Sequence, residues 1–239
     1  MGDKLQAKEI AKKVNIPTLD TVEKVSLAKK IGFPLMIKAA AGGGGKGMRI
    51  VKDSASLKDA AAAAKREAQS GFGDDRIFFE RYIEKSRHIE VQILGDDKNV
   101  VHLGERECSI QRRHQKIIEE SPSTRLSEEL RLNICEDAKR IAQAIKYTSA
   151  GTVEFLLDDK TGEYWFLEVN TRLQVEHPVT EEVTGIDIVQ EQINIANKKS
   201  ISFLNNDAAD LGHSFGHSIE VRIYACLLYT SPSPRDLYQ

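Results

Sequence analysis

The chain has 239 residues with 34 basic and 36 acidic side chains, a formal net charge of −2. This argues against a chain-wide cationic footprint for nucleic acid and against an acidic solvating tail. Hydrophobic residues at 41% suffice for one large domain or two small ones, and no apolar run approaches the ~20 residues of a membrane span. Leu5, Ile10, Ala11 and Val14 recur at helical spacing until Asn15-Ile16-Pro17, and Val22, Val25, Ala28 and Ile31 predict a second helix stopping at Gly32-Phe33-Pro34. Residues 34–40 read as an apolar strand carrying Lys38; a glycine run over 42–47 follows, then a second strand over 48–52. Residues 56–69 are Ala-rich and helical, with Asp59 early and Lys65 and Arg66 late, the order the helix dipole favours.

From Arg76 to Arg113 the period becomes two: Ile89, Val91 and Ile93 face one way, His88, Glu90 and Gln92 the other. Val100, Val101 and Leu103 continue after a turn at Gly95-Asp96-Asp97. Ser127 reads as the N-cap of a helix marked by Leu130, Ile134, Ala138, Ile141 and Ile145. Residues 151–170 form a hairpin turning at 158–162, 186–196 a helix and 218–224 a last strand. Such an order is not the alternation of a doubly wound sheet; it predicts an α+β protein of two lobes divided near residues 83–86. Cys108, Cys135 and Cys226 form neither a CxxC pair nor a disulfide framework, so a reducing, intracellular compartment is expected; no signal peptide opens the chain. Cys108 and Cys135 read as packing residues.

The glycine run formally fits G-x-G-x-x-G, but a dinucleotide fingerprint needs a helix after the loop, and here a strand follows. A P-loop needs Lys then Ser or Thr, and Met48 stands after the last glycine; no H-R-D or D-F-G supports a kinase. A surface hairpin and a loop closing its bare N–H groups over phosphates both stay open. Lys38 in the preceding apolar strand favours the second, because a phosphate oxygen would serve as its partner.

Glu154 and Glu168 are each the one acid in an otherwise apolar stretch, and the hairpin could bring them to one face with Asn170. Paired buried carboxylates need a neutralising cation, and oxygen donors with an amide suit Mg²⁺ or Mn²⁺; two acids on a solvent face is the alternative. In 171–178, Arg172, Gln174 and Glu176 alternate with apolar residues, so three polar groups converge from one extended segment. Glu176 could act as a base and Arg172 hold a small anion. The cluster Gln111 to Lys116 is a second concentration of positive charge, readable also as a solvated face.

At this point the sequence resembles biotin carboxylase, most nearly the biotin carboxylase portion of acyl-CoA carboxylases of the propionyl-CoA carboxylase alpha type. The resemblance rests on Gly2-Asp3-Lys4, Ile37-Lys38-Ala39, the glycine run with Met48-Arg49, Arg87 to Gln92, Cys108 to Lys116, Gly151 to Glu154, Glu168 to Glu181, and Glu220-Val221-Arg222. It implies an ATP-grasp fold of two α+β lobes with antiparallel sheets: residues 1–84 as the N-terminal lobe with a glycine-rich lid, 85–225 as the C-terminal lobe. It also implies site roles. Lys4 and Lys38 would contact ATP phosphates under the lid with Gly43, Gly44, Gly45 and Gly47. Glu80, Ile83, His88, Gln111 and His114 would meet adenine and ribose. Glu154, Glu168 and Asn170 would hold two metal ions, and Lys116, Arg172, Gln174, Val175 and Glu176 would surround bicarbonate. Glu176 would deprotonate bicarbonate for attack on the γ-phosphate, giving carboxyphosphate, and Arg222 would stabilise the biotin enolate.

The implied partners are ATP, bicarbonate, biotin on a carrier domain outside this chain, a carboxyltransferase subunit, and further copies of itself at full length. The compartment would be the cytoplasm or mitochondrial matrix. The family's N-terminal nucleotide-fold domain is not seen before Met1, and residues 226–239 depart from the family and read as an artefactual tail or as a Ser-Pro linker. A carbamoyl-phosphate synthetase-like ligase and an inactive nucleotide-binding fragment remain as alternatives.

Overall fold

The carboxylate of Asp3 accepts hydrogen bonds from the amides of Leu5 (2.9 Å) and Gln6 (3.1 Å) and so starts helix α1 (Lys4–Lys13). In this computed structural model, residues 3–41, 47–112, 114–205 and 214–223 are described. The first lobe continues with β1 (Thr21–Val22), α2 (Val25–Ala28), β2 (Leu35–Ala39), β3 (Arg49–Val51), α3 (Leu57–Phe72) and β4 (Ile77–Arg81). The second contains β5 (Ser86–Gly95), β6 (Val100–Arg112), β7 (Gln115–Ser121), α4 (Glu128–Ala144), β8 (Ser149–Asp158) and β9 (Tyr164–Asn170). It ends with α5 (His177–Thr184), α6 (Ile188–Ala196), a short 3-10 turn (Ser202–Asn205) and β10 (Ser218–Val221).

Among the described residues the named strands all pair antiparallel, in a four-stranded sheet of order β1-β4-β2-β3 and a six-stranded sheet of order β10-β7-β6-β5-β8-β9. Each sheet buries one face under a helix. Leu35, Ile37, Val51 and Phe79 pack against Leu57, Ala61 and Ala64 of α3. Ile89, Val91, Ile93, Val153 and Phe155 pack against Ile134, Ala138 and Ile141 of α4. Gly95 lets β5 approach the turn after α4, since a Cβ there would stand 2.0 Å from the Tyr147 carbonyl oxygen.

Three sequence expectations change. Helix α1, expected with the first lobe, packs on the second sheet: Ala7, Ala11 and Ile16 join the core of α4 and β9, and the Phe166 amide donates to the Pro17 carbonyl at 2.8 Å. Its amphipathic face fixes that it is buried, not against which sheet. The second predicted helix shrinks to α2, because β-branched Thr21 and Val22 pair as an edge strand with Phe79 and Glu80. The segment around Pro178 is not extended; Pro178 occupies the first turn of α5, where its missing N–H costs nothing.

Candidate active site

Between the two sheets lies a cleft of about 1010 Å³. Its floor on the second lobe is the β8–β9 hairpin, whose register sets Glu154 opposite Glu168 and Thr152 opposite Asn170. All three expected metal ligands therefore share one face. Glu168 stays 28% exposed and pairs with Lys4, while Glu154 is buried and accepts from His88 Nε2 (2.7 Å), Asn170 Nδ2 (2.7 Å), Gln174 Nε2 (3.0 Å) and Lys116 Nζ (3.1 Å). Burial pushes the Glu154 carboxyl up, but His88 and Lys116 outweigh it and hold it well below the usual range. Two carboxylates and an amide are a hard oxygen donor set that fits Mg²⁺. Gln111 Nε2 donates to His88 Nδ1 at 2.8 Å, which leaves the imidazole Nε2 proton directed at Glu154.

Lys116, from β7, is the hub of the floor. Its ammonium donates to Glu176 Oε1 (2.6 Å), Glu154 Oε1 (3.1 Å) and Gln174 Oε1 (3.2 Å), and also pairs with Glu90. Burial disfavours the ammonium, yet the surrounding carboxylates of Glu90 and Glu154 raise its pKa. The other oxygen of Glu176 accepts from Arg222 Nη2 at 2.6 Å, and Arg222 Nε donates to Glu119 at 2.7 Å. Burial raises the Glu176 carboxyl and Lys116 pulls it back below its ordinary value, so it is ionised near neutral pH.

The remaining expectations divide. Gln174 and Glu176 converge on Lys116, but Arg172 does not: it lies exposed at the cleft mouth, its Nη1 donating to the Leu173 carbonyl (3.2 Å). The segment is an irregular turn into α5, so alternation fails at its first member. Val175 is 60% exposed at the same mouth. Glu80 lines the cleft, but its side chain is taken up by Lys8 and Lys38, which leaves backbone there, with Ile83 and exposed His114, to face a base. Gly47 has φ +73° and holds its Cα hydrogen against Ala39, where a Cβ would come within 3.1 Å. Gly43, Gly44 and Gly45 lie outside the described residues.

Sequence reasoning passed over Lys8, Glu90, Arg106 and Glu119. Arg106 is fully buried in β6 and donates to Glu90 (2.7 Å), Gln92 (2.8 Å) and Thr180 of α5 (2.8 Å). The signals were present: Glu90 shares the polar face of His88, and Lys8 follows Lys4 by one helical turn. Cys108, buried beside Glu90 and Glu176, has its thiol pushed well up by burial, which suits packing rather than nucleophilic attack.

Comparison with known proteins agrees with this geometry. The family model for the carbamoyl-phosphate synthase L chain, ATP binding domain, matches residues 3–204. The chain is 50% identical over 234 residues to the mitochondrial propionyl-CoA carboxylase alpha chain of Homo sapiens, covering 94% of this chain and 32% of that protein. It is equally 50% identical over 234 residues to the biotin carboxylase of a Nostoc species, covering 94% and 51%. The Campylobacter jejuni biotin carboxylase solved with a beta-gamma-ATP ligand superposes with TM-score 0.87 at 45% identity, over 93% of this chain and 50% of that one. The biotin carboxylase domain of Hydrogenobacter thermophilus 2-oxoglutarate carboxylase, solved with MgADP, ADP and bicarbonate, gives TM-score 0.87 at 44% identity, over 93% and 50%. The chain thus spans about a third to a half of these relatives, and its α+β architecture is the ATP-grasp fold they share.

Proposed function

The chain belongs to the family of carbamoyl-phosphate synthase L chain ATP-binding domains, and from that premise we propose that it forms the nucleotide- and bicarbonate-binding part of a biotin carboxylase, which carboxylates biotin with bicarbonate at the expense of ATP. The observation that carries this reading is the Glu176 carboxylate, ionised and clamped between Lys116 and Arg222, one lysine away from the Glu154 of the metal face. A bicarbonate entering there meets a base and two cations at once.

Glu176 removes the bicarbonate proton, and Lys116, released from its carboxylates, balances the charge of the dianion as it attacks the terminal phosphate and displaces ADP to give carboxyphosphate. Lys4 and Lys38 meet the developing phosphate charge, Lys4 giving up its pairing with Glu168 for a phosphate oxygen. Glu154, Glu168 and Asn170 would hold Mg²⁺, for which Mn²⁺ could substitute, and the metal would supply neutralisation of the phosphates. After carboxyphosphate breaks down to CO₂ and phosphate, the phosphate takes the biotin proton, Arg222 stabilises the enolate, and the enolate's ureido nitrogen adds to CO₂ to give carboxybiotin. Arg172 and Val175 at the mouth guide the anion in, and His88, Gln111, His114 and Ile83 enclose the nucleotide. The partners are a biotinyl carrier domain, a carboxyltransferase subunit and, at full length, a second copy. The buried free thiols of Cys108 and Cys135 accord with a cytoplasmic or matrix compartment.

Phosphate release from MgATP tests the proposal. Dependence on bicarbonate with stimulation by free biotin is expected; nucleotide binding without turnover would leave a binding fragment. Stimulation by ammonia instead would favour the carbamoyl-phosphate chemistry after which the family model is named.

A further inference from the structure

Lys8 is the buried cation of the cleft to which the proposed chemistry gives no task. It is 3% exposed, and its ammonium meets Glu80 and the hydroxyl of Thr21 (3.2 Å) rather than open space. Helix α1 packs on the second lobe, whereas Glu80 lies in β4 of the first, so the pair bridges the two lobes at the back of the cleft. Glu80 is 1% exposed, and its second oxygen takes Lys38 Nζ at 2.7 Å. The hydroxyl of Thr21 donates to the Leu19 carbonyl at 2.9 Å. One buried carboxylate thus faces two ammonium groups, both on the cleft lining, and the excess positive charge falls to Lys38, the more exposed of the two side chains at 11% against 4%.

We propose that Lys8 is a positioning residue for phosphate recognition: by occupying one oxygen of Glu80, it prevents that carboxylate from closing on Lys38 with both, so that Lys38 keeps a net positive charge for the phosphates of an adenine nucleotide. The inference rests on the nucleotide reading given above. Without Lys8, Glu80 and Lys38 become a self-neutralised pair, and a group already neutralised by its own protein attracts an anion weakly. Burial already presses the Lys8 ammonium below its ordinary range, against the pull of Glu80, which is a poor arrangement for a residue whose only work is to glue two lobes together.

Calorimetric titration of the full-length protein with MgADP and with adenosine separates positioning from simple support. Lys8→Met keeps the apolar stem and should weaken MgADP about 10- to 100-fold while leaving adenosine essentially unchanged. Lys8→Met combined with Glu80→Gln leaves Lys38 without a neutralising carboxylate and should recover most of the MgADP affinity, and Lys8→Arg should retain it. If Lys8→Met alone does not fold, the comparison of Glu80→Gln with the double variant decides: once residue 80 is neutral, Lys8 should be dispensable for MgADP. Equal losses for both ligands, or a double variant that still loses MgADP selectively, overturn the positioning role and leave the nucleotide reading standing. Wild-type protein that binds neither ligand overturns both.

Discussion

The two walls of the cleft solve the burial of charge in opposite ways. On the first-lobe side, Glu80 stands between Lys38 of the same sheet and Lys8 reaching across from α1, one anion against two cations. On the second, one connected network among the described residues sets the four carboxylates of Glu90, Glu119, Glu154 and Glu176 against the three permanent cations of Arg106, Lys116 and Arg222. Each wall taken alone holds an uncompensated charge that a dry interior tolerates poorly; the two facing each other suit a ligand that is itself an anion carrying divalent cations. Under the proposed function the imbalance matches the ligand, with phosphate against the lysines and metal against the acids.

That contrast can be broken most severely on the acidic wall. Glu176→Gln should lower bicarbonate-dependent phosphate release about 100- to 10,000-fold while MgATP binding, measured calorimetrically, persists; full turnover would remove the proposed base. Arg106→Met strands Glu90 in the interior and should cost about 3–5 kcal/mol in urea unfolding, and a loss under about 1 kcal/mol would mean that Lys116 alone suffices for Glu90.

On the basic wall the effect is smaller and appears with acid. Burial would raise the Glu80 carboxyl, but Lys38 and Lys8 pull it from 4.5 down to about 2. A depressed carboxylate contributes stability above its unfolded pKa that is lost as pH falls through its folded one, so this contribution should fade between pH 4.5 and about 2. Its size is at most about 3 kcal/mol, reduced by the cost of burying Lys8. Glu80→Gln, followed by circular dichroism across that window, should show a shallower decline than wild type. The smallest effect is at His88, where burial lowers the pKa and Glu154 more than restores it, leaving it raised. Its contribution to the ligand-free protein is complete below about pH 6.5 and vanishes as pH climbs through the folded value. His88→Gln should flatten that portion of the stability curve.

The pairing of the two carboxylates was legible in the sequence because a hairpin is a local object: once the turn at Asp158 to Gly162 is located, Glu154 and Glu168 must meet. Lys116 and Glu176 lie in segments whose adjacency depends on the strand order β7-β6-β5-β8, which hydrophobic periodicity does not encode; only the resemblance to known sequences paired them. Arg106 and Glu90 illustrate the remaining difficulty. Period two shows that a side chain shares a face with its second neighbour, but a polar residue on such a face reads as solvated unless another layer covers it. Here α5 and the segment before it do so, through Thr180 and Gln174. Arg172 shows the converse error, since alternation was extended past the point where the strand stops.

Helix α1 also decides how the molecule can be divided. It comes first in the chain yet seats Ala7 and Ala11 in the core of the six-stranded sheet, so the connection from Tyr82 to Lys85 is a seam in shape but not in construction. A protease cutting there would yield two pieces that remain threaded through each other, the larger still wearing a helix that belongs to the smaller. Expressing the second lobe as a contiguous segment from Ser86 would bare that apolar face, and only a permuted chain, with α1 rejoined beyond β10, would carry the whole sheet and its covering as one unit.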